Sequence, residues 1–372
     1  MRLAWRNLSH DRLRFSVTIV GIVFAVFLMV FQGSLLAGFV RASSKVIDAT
    51  DAQIWIAARG VNCFEFPAPI PSRFRELAQG VPGVAAVRRI VAGSTSWQPP
   101  SGLRQTVIVV GADAGISNRF PLPYLNRRPD ALHPEMVLVD QSNAPSLEVI
   151  SAPVDVEIGR RRARVAGIID GFGSFIGSPY VFTTYNDAAH YLGLEREETM
   201  FLLVSVSPED EVEAVWRNLQ ARLPEVDVWT REAFSQRARL YWVNQTGSGG
   251  ALLLAGLLGF LVGLVIVSQT IYSTTMDNLE EFATLKAIGA SRRYIRGVVL
   301  TQSLVSGVIG SIIGLLITFP LMRAMQGSIS WIYTPWWLPV GMIAVSLLMC
   351  CIASVVSIRK AVTVEPGRVF RA

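Results

Sequence analysis

Apolar residues gather into four long uncharged blocks, at 15–40, 240–276, 297–322 and 324–358. Each exceeds the roughly 20 residues that an α-helix needs to cross a bilayer. Between the first block and the second, residues 41–239 have ordinary mixed sequence and no comparable run. The pattern predicts a membrane protein with four transmembrane α-helices and an extracytoplasmic α+β domain inserted between the first and second. The spans are placed at 15–40, 247–276, 297–322 and 331–358, with the inserted domain and its stalk at 41–239. An unbroken helix over the whole second block would reach about 55 Å, far beyond a hydrocarbon core of about 30 Å. The polar segment Gln245-Thr-Gly-Ser-Gly-Gly therefore belongs at the outer surface, the membrane stretch runs near 251–274, and what precedes it becomes a stalk. Tyr241 and Trp242 stand where charge disappears, as aromatic residues at headgroup level do.

Within the inserted domain, short apolar runs alternate with turn clusters. They predict strands at 84–92, 106–111, 136–139, 154–158, 163–169 and 180–183. Helices are predicted at 72–80, 186–192 and 209–223. The last of these lies between strands at 201–206 and 226–229, a βαβ-like unit that fits an α+β domain. Pro67, Pro69 and Pro71 mark an extended segment.

The chain is 51% hydrophobic and 17% charged, with a net charge of +6. Its basic excess is an orientation signal. Residues 1–14, 277–296 and 359–372 together carry +7, the inserted domain carries −2, and Arg323 supplies the remainder. By the positive-inside rule the three basic segments share the cytoplasmic side and the domain lies opposite. No clustered basic face points to nucleic acid. Residues 1–14, with Leu3, Trp5 and Leu8 among arginines and Phe15 just beyond, predict an amphipathic helix at the cytoplasmic interface. The first apolar block is too long for a cleaved signal peptide and is expected to stay as an anchor.

Candidate catalytic chemistry is sparse. The histidines, His10, His133 and His190, are far apart and lack metal-ligand spacing. Cys63 is alone in the domain, while Cys350 and Cys351 fall in the fourth span, so no disulfide framework exists. The lysines Lys45, Lys286 and Lys360 follow Ser, Leu and Arg, whereas a phosphate-cradling Walker loop needs Gly before its Lys. No catalytic, metal or cofactor-binding residue is assigned. Any ATP and Mg are expected on a partner ATPase. The spans also lack the buried charges that mark ion pathways.

The segment 277–296 is the most distinctive. It places a short charged helix between two apolar blocks. Asn278 can cap it, Glu281 can return the bond as in a capping box, and Gly289 supplies a left-handed stop. About three turns are too few to be stable alone in water, so the helix must be braced. Gly259 and Gly263 form one GxxxG step and Gly310 and Gly314 another, each permitting close helix approach.

This segment, ending in Leu285-Lys-Ala-Ile-Gly-Ala-Ser, closely resembles the coupling helix of the FtsX-like, MacB-type permease family. Further resemblance lies in Met136-Val-Leu-Val-Asp-Gln-Ser, Val165-Ala-Gly-Ile-Ile-Asp-Gly-Phe-Gly-Ser-Phe-Ile-Gly, Tyr241-Trp-Val-Asn-Gln-Thr, Gly263-Leu-Val-Ile-Val-Ser-Gln-Thr-Ile-Tyr and the tail from Ile358. The branch it most resembles is that of DevC-like, heterocyst-type glycolipid exporter permeases. The resemblance implies an inner-membrane permease with both termini cytoplasmic and the domain periplasmic, working as a homodimer with a cytoplasmic ABC ATPase. A periplasmic adaptor (membrane fusion protein) and an outer-membrane duct would complete an export complex. Force would pass from the ATPase through Asn278, Leu279, Glu280, Glu281, Phe282, Leu285, Lys286, Ile288 and Gly289 to the stalk and domain. Related branches export macrolides or peptides, release lipoproteins, or activate wall hydrolases. The alternative is therefore a non-transporting regulator of an extracytoplasmic cell-wall hydrolase.

Overall fold

The computed structural model describes residues 12–114, 133–277, 279–326 and 329–363. Most of the helix expected at 1–14, the end of the tail expected at 359–372, and Asn278 lie outside them. In chain order the elements are α1 (Arg12–Ala42), α2 (Lys45–Asp48), β1 (Ile54–Ala58), β2 (Ile70–Pro71), α3 (Arg73–Gln79), β3 (Val84–Gln98), β4 (Gln105–Ala112), β5 (Met136–Asp140), β6 (Val154–Ile158), β7 (Arg161–Ile169), β8 (Tyr180–Thr184), α4 (Tyr185–Leu192), β9 (Glu198–Thr199), β10 (Phe201–Val206), α5 (Val212–Arg222), β11 (Val226–Thr230) and α6 (Arg231–Leu240). A π-helical turn follows at Tyr241–Gln245, then α7 (Ser248–Asp277), α8 (Leu279–Ala287), α9 (Arg292–Met325) and α10 (Trp337–Thr363). The chain divides into two compact units. One holds residues up to Gly38, Gly250–Gln326 and the chain from Ile332; the other holds Phe39–Gly249 and 327–331.

In the first unit, α1, α7, α9 and α10 each carry a stretch long and apolar enough to cross a membrane. Helix α1 buries Ile19, Ile22, Val26, Met29 and Val30, spaced by three or four residues as one helical stripe. The other three helices pack on it through glycine. A Cβ on Gly263 would stand 2.6 Å from Ala25 Cβ, one on Gly310 2.6 Å from Ile22 Cγ2, and one on Gly33 2.9 Å from Leu338 Cδ1. Ser311 and Ser346 hydroxyls, 2.5 Å apart, join α9 to α10. The fourth helix opens at Trp337 rather than at 331; Pro335 lies just upstream, and its carbonyl accepts from Leu338 N at 3.0 Å.

The second unit is an α+β domain on a nine-stranded mixed sheet of order β11-β1-β10-β3-β4-β8-β5-β7-β6. Strand β1, which the periodicity did not reveal, is buried on both faces and pairs antiparallel with β10 and with β11. It therefore stands between the two strands of the expected βαβ-like unit. Period-two alternation sorts its side chains. Ile54 and Ile56 join Phe74, Leu202, Val204, Val215 and Leu219 in a core under α3 and α5. Trp55 points to the opposite face, its ring 5.5 Å from Phe201 and 5.4 Å from Phe234 of α6. A separate core under α4 is built on Trp97, Val107, Val109, Val139, Val165 and Val181.

Candidate functional site

Helix α8 occupies nine residues between two spanning helices. Its C-terminus is closed by a Schellman arrangement. Ala290 N donates to Leu285 O at 2.9 Å and Gly289 N to Lys286 O at 3.1 Å, with Gly289 at φ 99°. Gly suits that left-handed position because it has no Cβ. Ser291 then caps α9, its hydroxyl accepting from Tyr294 N at 3.2 Å. Helix α8 has two distinct faces. Phe282 and Ala283 are buried, Phe282 at 2% exposure, and so brace the helix. Glu280, Glu281 and Thr284 are exposed, and Ile288 stands 80% exposed just past the end. Leu285 and Lys286 are half-buried. Residues 280, 281, 284 and 288 recur at helical spacing, so one surface strip presents two carboxylates, a hydroxyl and a bare apolar side chain. Nothing is described of Asn278 or of the Leu279 side chain.

The glycines singled out from the sequence all face α1 within the same chain. Gly259 lies against Leu28, Gly263 against Ala25, Gly310 against Ile22 and Gly314 against Val26. Close to these contacts, Thr18, Thr275, Ser303 and Ser306 are buried around a cavity of about 20 Å³. The hydroxyls of Thr275 and Ser303 return to carbonyls one turn back, at 2.8 and 3.0 Å, and so bring no unsatisfied donor into the helix interface.

In the domain, a second arrangement surrounds Glu65. Its carboxylate is buried and accepts from Tyr180 Oη at 2.9 Å and from Trp242 Nε1 at 3.1 Å. The Cys63 thiol lies beside it. Among the described residues no Lys or Arg pairs with Glu65. Burial pushes the Glu65 carboxyl above its ordinary range, against the pull of the hydrogen bonds from Tyr180, its own backbone N–H and Trp242. The Cys63 thiol rises to about 12, from burial first and then from the Glu65 carboxylate beside it. Trp242 belongs to the π-helical turn, and its ring stands 5.0 Å from Phe175 and 6.3 Å from Phe39. Phe39 in turn meets Trp331 at 6.3 Å. From the sequence Cys63 is only a lone cysteine, and Glu65 is not singled out. The available signal was a lone carboxylate between Phe64 and Phe66 in a stretch otherwise without charge. Trp242 was placed at a membrane boundary; in the structure it is 6% exposed and gives its indole N–H to a carboxylate.

Among the described residues no group of three His, Cys, Asp or Glu is placed to hold a metal ion. His190 lies beside the Arg161 guanidinium at the surface rather than in a reactive cluster.

Four helices long and apolar enough to cross a membrane, with a large mixed-sheet domain after the first, define a multi-span membrane protein. Family models place it further: residues 15–222 match the MacB-like periplasmic core domain and residues 253–366 the FtsX-like permease C-terminal region. The chain belongs to the FtsX-like, MacB-type family of ABC transporter permeases. A permease of this kind is not itself the ATPase, which implies an ATPase partner and a membrane location. Similar over its whole length is an uncharacterized ABC transporter permease of Mycobacterium tuberculosis, 22% identical across 99% of this chain and 98% of the relative. Another, from Mycobacterium bovis, is 23% identical across 98% of this chain and 96% of the relative. Among solved structures, the periplasmic region of MacB from Actinobacillus actinomycetemcomitans aligns with 50% of this chain and 92% of that one, at 11% identity and a TM-score of 0.36. The extracellular domain of the noncanonic ABC-type transporter YknZ from Gram-positive bacteria covers 48% of this chain and 98% of that one, at 14% identity and a TM-score of 0.33.

Proposed function

We propose that this chain is the permease subunit of an ATP-driven export complex in the inner membrane, with both termini cytoplasmic and the domain periplasmic. It acts by relaying force rather than by carrying cargo through its own spans. A cytoplasmic ABC ATPase, which binds the ATP and Mg, pushes on the exposed strip of α8. The motion travels along α7 and the π-turn to the domain. The permease works as a homodimer, and a periplasmic adaptor and an outer-membrane duct receive the cargo; lipid or glycolipid is the class favoured by the resemblance to DevC-like permeases. Helix α7 is the least covered of the four spanning helices, 17% buried against 33–39% for the others, which supports a second copy beside it.

The observation that carries this reading is the two-sided character of α8: Phe282 buried beneath it, Glu280, Glu281, Thr284 and Ile288 exposed above. A short helix held from one side and open on the other is suited to receiving a push without unfolding. The experiment uses the full-length permease purified with its ATPase and reconstituted in vesicles. Ile288→Asp and Glu281→Lys are expected to leave the permease folded and the ATPase active, while ATP hydrolysis ceases to drive export. Full coupling in both variants overturns the assignment of α8. A cysteine at Ser291 labelled from outside intact cells overturns the orientation. Cargo is identified by mass spectrometry of lipids retained by the complex; ATP-dependent activation of a wall hydrolase with no cargo moved would favour the regulatory alternative.

A further inference from the structure

Three observations in the domain unit converge on one place. Glu65 is a buried carboxylate with no cation opposite it among the described residues, and its two oxygens accept from the neutral donors of Tyr180 and Trp242. Burying an ionisable group without a counter-charge is costly, and a fold that needed only packing there would place an apolar residue. Trp242 lies in the π-helical turn between α6 and α7, and π-turns inside helical segments frequently mark functional positions. The surrounding rings come from separate parts of the chain: Phe39 from α1, Phe66 from the proline-bracketed segment, and Phe175 from the glycine-rich loop before β8.

The two carboxylate oxygens have different partners. Oε1 takes the hydrogen bond from Tyr180, which opens strand β8 in the middle of the sheet. Oε2 takes the one from Trp242, in the π-helical turn that follows α6. One side chain therefore ties the sheet to the turn at which the stalk changes helical type. Aromatic packing alone lets rings slide, whereas hydrogen bonds to both oxygens of one carboxylate fix distance and direction together.

We infer that Glu65 is a positioning residue that fastens the Trp242 turn to the central sheet through Tyr180, so that displacement of the stalk is delivered to the domain at this point. The inference rests on the force-relay reading above and adds to it where the force enters the domain. Removing either hydrogen-bonding partner leaves the stalk free to move while the sheet no longer follows.

The test is hydrogen–deuterium exchange on the full-length permease with its ATPase in lipid nanodiscs, with and without nucleotide trapped by vanadate. In the natural protein, trapping is expected to change exchange at 279–287, at 241–247 and at 62–66 together. In Trp242→Phe, which loses the N–H, and Glu65→Met, which loses the acceptor, the changes at 279–287 and 241–247 persist and the change at 62–66 is lost. Glu65→Gln keeps a carbonyl oxygen for Trp242 and is expected to retain all three. A folded Trp242→Phe protein with the full response at 62–66 overturns the inference. If the variants do not fold, the natural protein still decides it, because a response at 241–247 with none at 62–66 overturns it as well. No nucleotide response at 279–287 in the natural protein overturns the force-relay reading itself, and this inference with it.

Discussion

Gly310 lies so close to Ile22 that a Cβ built on it would stand 2.6 Å from Ile22 Cγ2 and 2.7 Å from Ile22 Cβ. The neighbour is a branched side chain, 0% exposed, on the central helix of the membrane unit, so it has no free end that can swing aside. Gly310→Leu is expected to force α9 off α1 and to cost about 1–3 kcal/mol, the usual scale of overpacking. Gly297, on the same helix, has nothing within 4 Å of its would-be Cβ. Gly297→Ala is expected to be neutral or to stabilise by up to about 1 kcal/mol through helix propensity. Thermal unfolding in one detergent compares the pair, and equal losses would contradict the packing.

Phe282 and Ile288 make a second contrast, both apolar, both near the end of a short helix, and opposite in exposure. Phe282→Ala is expected to destabilise the membrane unit by about 3–5 kcal/mol, as for other buried aromatics. Ile288→Ser is expected to stay within about 0.5 kcal/mol, as surface changes do. Denaturation of the purified permease measures both without needing the ATPase.

Ser291 caps α9 at its junction with the loop after α8. Ser291→Ala removes the acceptor for Tyr294 N and is expected to cost about 1 kcal/mol. The loss should be local: faster amide exchange at 292–296, with the sheet domain unchanged. Uniform loss across both units would argue against a capping role.

Glu65 gives the protein a pH-dependent term. Burial raises its carboxyl above the ordinary 4.5, so the folded state favours the protonated form more than the unfolded chain does. That contribution is complete below 4.5 and is lost as pH rises through the higher folded value. Tyr180 and Cys63, the titratable groups facing it, are themselves pushed upward by burial and stay protonated throughout that window. Glu65→Gln cannot ionise. The melting temperature of the natural protein minus that of Glu65→Gln should therefore fall as pH rises across the window. A constant difference would show that Glu65 does not titrate there.

Much of this molecule could be read before the structure was known, because its largest signals are local in the chain. Four uncharged blocks need no partner to be recognised. The stop at Gly289 follows from glycine's access to positive φ, and the short apolar runs at 136–139 and 180–183 coincide with β5 and β8. Strand β1, buried on both faces like β5 and β8, was not singled out: an all-apolar run such as Ile54-Trp-Ile-Ala-Ala has no periodicity that separates a strand from a buried helical segment. Glu65 escaped for a different reason: its partners are 115 and 177 residues away along the chain, and only folding brings Tyr180 and Trp242 to one carboxylate. For α8 the sequence located the helix, while the division between buried Phe282 and exposed Ile288 depends on what the rest of the membrane unit places beneath it.

The packing of α7, α9 and α10 against α1 bears on biogenesis. In chain order α1 precedes the three helices whose glycine contacts it shares, so each later segment leaving the insertion machinery meets a docking partner already resident in the lipid. No helix has to wait, half-solvated, for a neighbour still to be synthesised, although translation of the long inserted domain intervenes before the second one arrives.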